Sequence, residues 1–154
     1  MKKKIILCTL LCIFMLAALA GCASKTALTN NEFKTQAANH GYKVTDISDQ
    51  YKAFGYIKSA TVAQSKHGWQ IEFYVLDNEA AAIKMFDTNQ ASFESEKGST
   101  STRSTVSVNN YATYALTTNG QYMYLCRIDT TLLYVKADAT YKNDVSEFVD
   151  AIGY

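Results

Sequence analysis

Asn119-Gly120 stands between two runs of strand-forming residues, Thr105 to Thr118 and Gln121 to Asp129. Asn-Gly in that setting is the strongest short-range signal for a β-hairpin, because both residues tolerate the positive φ of a type I′ turn. A two-residue turn there pairs Leu116 with Met123 and Tyr114 with Leu125. A further turn at Thr130-Thr131 brings in a strand from Leu132 to Ala137. In that register Cys126 pairs with Val135, Ile128 with Leu133 and Tyr124 with Ala137, which makes one apolar face. Arg127 with Tyr134, Leu125 with Lys136 and Asp129 with Leu132 make the other. The region is expected to fold as an antiparallel meander, with Thr105 to Thr118 supplying one or two strands.

The remainder of the chain supplies helices and one more hairpin. Thr29 and Glu32 have the spacing of a capping box; Phe33, Ala37 and His40 follow at helical spacing, and Gly41 is a plausible stop. Asp46 to Phe54 is ambiguous, with room for one helical turn. Ile57 to Gln64 and Trp69 to Leu76 flank Lys66-His67-Gly68 as a hairpin, and a two-residue turn at His67-Gly68 would pair Phe73 with Val62. Asn78 to Lys97 carries Ile83, Phe86 and Phe93 on one helical stripe. The polar stretch 98–105 reads as a solvated connector. Val145, Phe148, Val149 and Ile152 define a last helix within Thr140 to Gly153. The expectation is an α+β domain: a meander sheet of about five to six strands with helices packed mainly on one face.

Residues 1–22 carry a different signal. Lys2, Lys3 and Lys4 precede an uncharged run from Ile5 to Ala20, the layout of a secretory signal. As a helix that run is ~24 Å long, short for a bilayer core of ~30 Å. Leu19-Ala20-Gly21-Cys22 resembles the lipobox of bacterial lipoprotein precursors. The resemblance covers residues 1–22. It implies cleavage before Cys22, a diacylglyceryl group on the Cys22 thiol with acyl chains such as palmitate, and a place on the extracytoplasmic side of the cell membrane. The implied division is a signal peptide over 1–21, a lipidated tether over 22–28 and one α+β domain over 29–154. Two acyl chains suffice for stable anchoring where one is marginal.

Without 1–21 the chain has 133 residues, enough for one domain with its own core, and 12 basic against 14 acidic residues. That balance argues against a nucleic-acid partner. Cys126 is then the one cysteine besides Cys22, so packing rather than a disulfide must hold the fold. The end from Thr131 to Tyr154, with "RIDTTLLYV" before the last helix, resembles small surface lipoproteins of Gram-positive bacteria of unassigned function. That resemblance supplies no catalytic residues.

No catalytic, cofactor or metal pattern stands out. His40 and His67 lack ligands at metal spacing, Cys126 falls on an apolar sheet face, and no nucleophile-elbow, dinucleotide or P-loop pattern occurs. The expectation is no enzyme activity and no cofactor. The more informative feature is the second sheet face, where Tyr114, Met123, Leu125, Arg127 and Tyr134 gather with Leu116, Leu132 and Lys136. A further helix, the first one for instance, could cover it. Otherwise it could meet an envelope protein or a second copy, or bind a small ligand with tyrosines as platforms and Arg127 for an anion. The functional expectation is a binding or protein-interaction module near the bilayer. The alternatives are a small cell-envelope hydrolase and a ligand-sensing lipoprotein.

Overall fold

The computed structural model describes residues 24–154; the signal-peptide reading and Cys22 lie outside them. The elements are α1 (Asn30–Asn39), β1 (Lys43–Asp46), a 3-10 turn (Ser48–Tyr51), β2 (Ile57–Gln64), β3 (Gln70–Leu76), α2 (Glu79–Ser95), β4 (Ser101–Val108), β5 (Tyr111–Thr118), β6 (Gln121–Ile128), β7 (Thr131–Asp138), a 3-10 turn (Ala139–Tyr141) and α3 (Lys142–Ala151). The fold is α+β. All the strands join one antiparallel sheet of seven, rather than five to six, in the order β1-β2-β3-β7-β6-β5-β4. Two meanders, β1-β2-β3 and β4-β5-β6-β7, meet at the β3/β7 seam. None of the described helices is long and apolar enough to cross a membrane.

Two of the three described helices, α1 and α3, pack on one face of the sheet, and α2 covers the other. Strand alternation divides the apolar side chains into two layers. In the first, Phe33 and Ala37 of α1 and Val145, Phe148 and Val149 of α3 pack on Ile71, Phe73, Cys126, Ile128, Leu133 and Val135. Phe33 stacks on Phe73 at 4.4 Å, and Phe148 meets Phe33 edge-on at 6.4 Å. In the second, Ala82, Phe86 and Phe93 of α2 cover Tyr114, Leu116, Met123, Leu125 and Leu132. Ala82 takes the place expected for Ile83, which is 42% exposed. Positions 82, 86 and 93 lie within a narrower arc at ~100° per residue than 83, 86 and 93 do.

Local signals fix most boundaries. The capping box forms: Thr29 Oγ1 accepts from the Glu32 amide at 3.2 Å, and Glu32 Oε2 accepts from the Thr29 amide at 2.7 Å. Asn109, Asn119 and Asp129 each begin a hairpin turn at positive φ, which Asn and Asp tolerate best after glycine. The last turn is therefore Asp129-Thr130, not Thr130-Thr131. The register moves by two, Cys126 facing Leu133 and Leu125 facing Tyr134, and every residue keeps its face. The β2–β3 register moves by one: Phe73 faces Thr61, and Val62 faces Glu72. Its connection is longer than two residues, since the Ser65 amide donates to the Trp69 carbonyl at 2.8 Å. Much of the stretch expected to be a connector, 98–105, is the start of the edge strand β4.

Candidate functional site

The second sheet face is not an open surface. Tyr114, Met123 and Leu125 are fully buried beneath α2, and Tyr134 is half-buried against Phe93 at 5.2 Å between ring centres. The Tyr114 hydroxyl donates to Glu94 Oε1 of α2 at 2.7 Å; burial, then this carboxylate, pushes its pKa up to about 12. Arg127 is also occupied. Its Nη1 donates to Glu79 Oε1 at 3.1 Å, to the Asn110 carbonyl at 3.3 Å and to the Asp129 carbonyl at 3.4 Å. It ties two hairpin turns to the start of α2 rather than waiting for an anion. Cys126 is buried in the opposite layer, and burial pushes its thiol up to about 11. It is a thiol, not a nucleophilic thiolate, near neutrality.

A cleft of about 540 Å3 lies elsewhere, between the C-terminus of α1, the β2–β3 turn and the outer side of α3. Each wall is built by local chemistry. α1 ends in a Schellman pattern, with the Gly41 amide on the Ala38 carbonyl and the Tyr42 amide on the Ala37 carbonyl, both at 3.0 Å. Gly41, at φ +81°, makes the reversal that turns Tyr42 inward. The β2–β3 turn presents Ser65, Lys66 and His67; α3 presents Asp144, Glu147 and Phe148.

The floor is aromatic. Tyr42 packs on Phe148 at 4.6 Å and edge-on against Trp69 at 5.5 Å. Both histidines sit at the rim. His40 meets Phe148 at 5.3 Å, and His67 stacks on Tyr141 at 5.3 Å. His40 Nδ1 lies 2.8 Å from the Gln36 carbonyl, which can only accept, so Nδ1 carries the proton. In the neutral ring Nε2 is then the acceptor. Burial, followed by the charges of Asp144 and Glu147, pushes the Tyr42 phenol up to about 12. Among the described residues no group of three or more His, Cys, Asp or Glu is placed to hold a metal ion.

Beneath the floor one polar atom is unsatisfied. Trp69 is 8% exposed, and its buried Nε1–H has no hydrogen-bond acceptor. A buried donor left unpaired costs ~1–3 kcal/mol. The cleft combines a stacking surface with a rim carrying both charge signs. Sequence reasoning weighed His40 and His67 singly and missed that they line one cleft. The available signal was His-Gly at both 40–41 and 67–68, one at a helix end and the other in a hairpin turn, with the chain's one tryptophan beside the second.

No family model and no curated protein matches the chain. A solved structure described as a GTP binding regulator from Thermotoga maritima is similar at 18% identity, covering 77% of this chain and 80% of that one, with a TM-score of 0.44. A likeness that loose carries no argument about function.

Proposed function

We propose that the protein is a non-catalytic, lipid-anchored binding module of the cell envelope, held through Cys22, whose cleft receives a short peptide segment of another envelope protein. The observation that carries the reading is the aromatic floor of the cleft, where Tyr42 packs on Phe148 at 4.6 Å and against Trp69 at 5.5 Å beneath a charged rim. Tyr42 and Phe148 offer a side chain a stacking surface, while Lys66, Asp144 and Glu147 offer either sign of charge. With both faces of the sheet covered by helices, the cleft replaces the Tyr114/Leu125/Tyr134 surface as the binding place.

Peptide libraries panned against the native chain test this. Enriched peptides should change the emission of Trp69, the single tryptophan, and bind Tyr42→Ala about tenfold more weakly, as for a lost stacking contact of ~1.4 kcal/mol. Equal binding to Tyr42→Ala would overturn the assignment. The placing of both histidines, Asp144 and Glu147 around one cleft favours one second reading, a small envelope hydrolase using His40 or His67 as general base. Cleavage of wall fragments that is lost in His40→Ala or His67→Ala would establish it instead.

A further inference from the structure

We propose that one end of the sheet is a lipid-facing surface: the end bearing the turns at 109–110 and 129–130 and the loop at 52–56, with Phe54 and Tyr56 seated among lipid headgroups. The inference rests on the lipid-anchor reading of Cys22 and adds an orientation to it. Two independent observations place the bilayer at this end.

The first is where the N-terminal segment leaves the domain. The Lys25 amide donates to Asn110 Oδ1 at 3.2 Å, and Asn110 Nδ2 donates back to the Lys25 carbonyl at 2.7 Å. Lys25 Nζ lies 5.2 Å from the centre of the Tyr111 ring, and the Leu28 amide donates to the Tyr154 hydroxyl at 3.0 Å. The tether expected over 22–28 is thus fastened to the domain from Lys25 onward. Only three residue steps separate Lys25 from Cys22, a reach of at most ~11 Å. The β4–β5 turn that holds Lys25 must then lie within about that distance of the lipid boundary.

The second observation is what else this end displays. Phe54 and Tyr56 are 47% and 46% exposed, with ring centres 6.0 Å apart. The Tyr56 carbonyl accepts from the Asp77 amide at 2.8 Å, which holds the loop at the end of β3. By the strand pairings, the end of β3 is the same sheet end as the turns at 129–130 and 109–110. From β2 to β5 there are four strand spacings, or ~19 Å. One flat contact can therefore span the Lys25 fastening and both rings. The cations flanking the two rings are paired, Lys52 with Asp49 at 2.9 Å and Lys58 with Asp77 at 3.2 Å. Contact through aromatic rings, which prefer the membrane–water interface, would therefore be insensitive to salt. The cleft, at the opposite ends of β2 and β3, faces away from the lipid.

The single tryptophan supplies a control. Trp69 is separated from Leu76 by the length of β3, ~23 Å at ~3.3 Å per residue. The full chain, produced with its signal and reconstituted in phosphatidylcholine vesicles carrying brominated acyl chains, should show unquenched Trp69 emission. Phe54→Trp, or Tyr56→Trp should the first variant misfold, should add emission that brominated lipid quenches at least twofold. Added emission that is not quenched in a protein bearing the acyl mass at Cys22 overturns the orientation and leaves the anchor intact. Quenched Trp69 does the same. A product without the acyl mass overturns both.

Discussion

Replacing Arg127 by Met tests whether the buried guanidinium is a structural clamp. The side chain is 7% exposed and serves three acceptors: a Glu79 carboxylate oxygen and two turn carbonyls. The Glu79 side chain is 54% exposed, so the ion pair contributes under ~1 kcal/mol. The carbonyls of Asn110 and Asp129 lie at the long end of hydrogen-bond range, and losing a charged donor to them costs ~1 kcal/mol each. Met refills most of the stem's volume, which leaves a net loss of ~2–3 kcal/mol. For a domain of this size that corresponds to a melting point lower by ~8–12 °C, at ~4 °C per kcal/mol. Glu79→Gln keeps the guanidinium on both carbonyls and should lower it by less than ~4 °C, the equivalent of ~1 kcal/mol. Thermal melts by circular dichroism read both. An Arg127→Met melt within ~2 °C of the parent, or a Glu79→Gln effect as large as that of Arg127→Met, would refute the carbonyl-clamp argument.

Two further outcomes follow from burial. The phenols of Tyr42, Tyr114 and Tyr154 are each pushed up to about 12, in each case chiefly by burial. A raised folded pKa means stability that is complete below the unfolded value of ~10 and lost as pH rises towards 12. Denaturant midpoints should therefore fall steadily above about pH 10; a midpoint unchanged between pH 10 and 12 would contradict the burial. Cys126, held as a thiol inside the first layer, should resist alkylation in the native domain at pH 8 and react fully once unfolded. Native labelling at the rate of a free thiol would show that the layer opens.

Signals confined to a few neighbouring residues were legible. Thr29 and Glu32 cap α1 as their spacing predicts, Asn119-Gly120 makes its turn in the expected register, and Val145, Phe148 and Val149 face the core. Signals that depend on distant partners were not. β4 is exposed along both faces because it lies at the sheet edge; without alternation, Ser and Thr read as a solvated connector. β1 has only four residues and gains its identity from pairing with β2. The slip of two at Asp129-Thr130 was harmless and the slip of one at the β2–β3 turn was not, because side chains alternate with period two. The covering of Tyr114 and Leu125 by α2 depends on a crossing from β3 to β4 that no local pattern specifies. The cleft is harder still: its walls are a helix end, a turn and a helix side separated along the chain, brought together only after the first layer packs.

The seam between β3 and β7 imposes an order on assembly. Gln70 faces Lys136, and Ile71 faces Val135, so partners some sixty positions apart in the chain must find one another before the two meanders become one sheet. The β4-to-β7 meander, linked by two-residue turns, can zip up from its own neighbours, whereas loop closure over long separations is slow. Phe33 has to wait for Phe148, 115 positions later (148 − 33), before its ring is enclosed. A nascent chain stopped anywhere short of Val145 therefore leaves α1 without its neighbour in the first layer, and such intermediates are the ones a chaperone would hold.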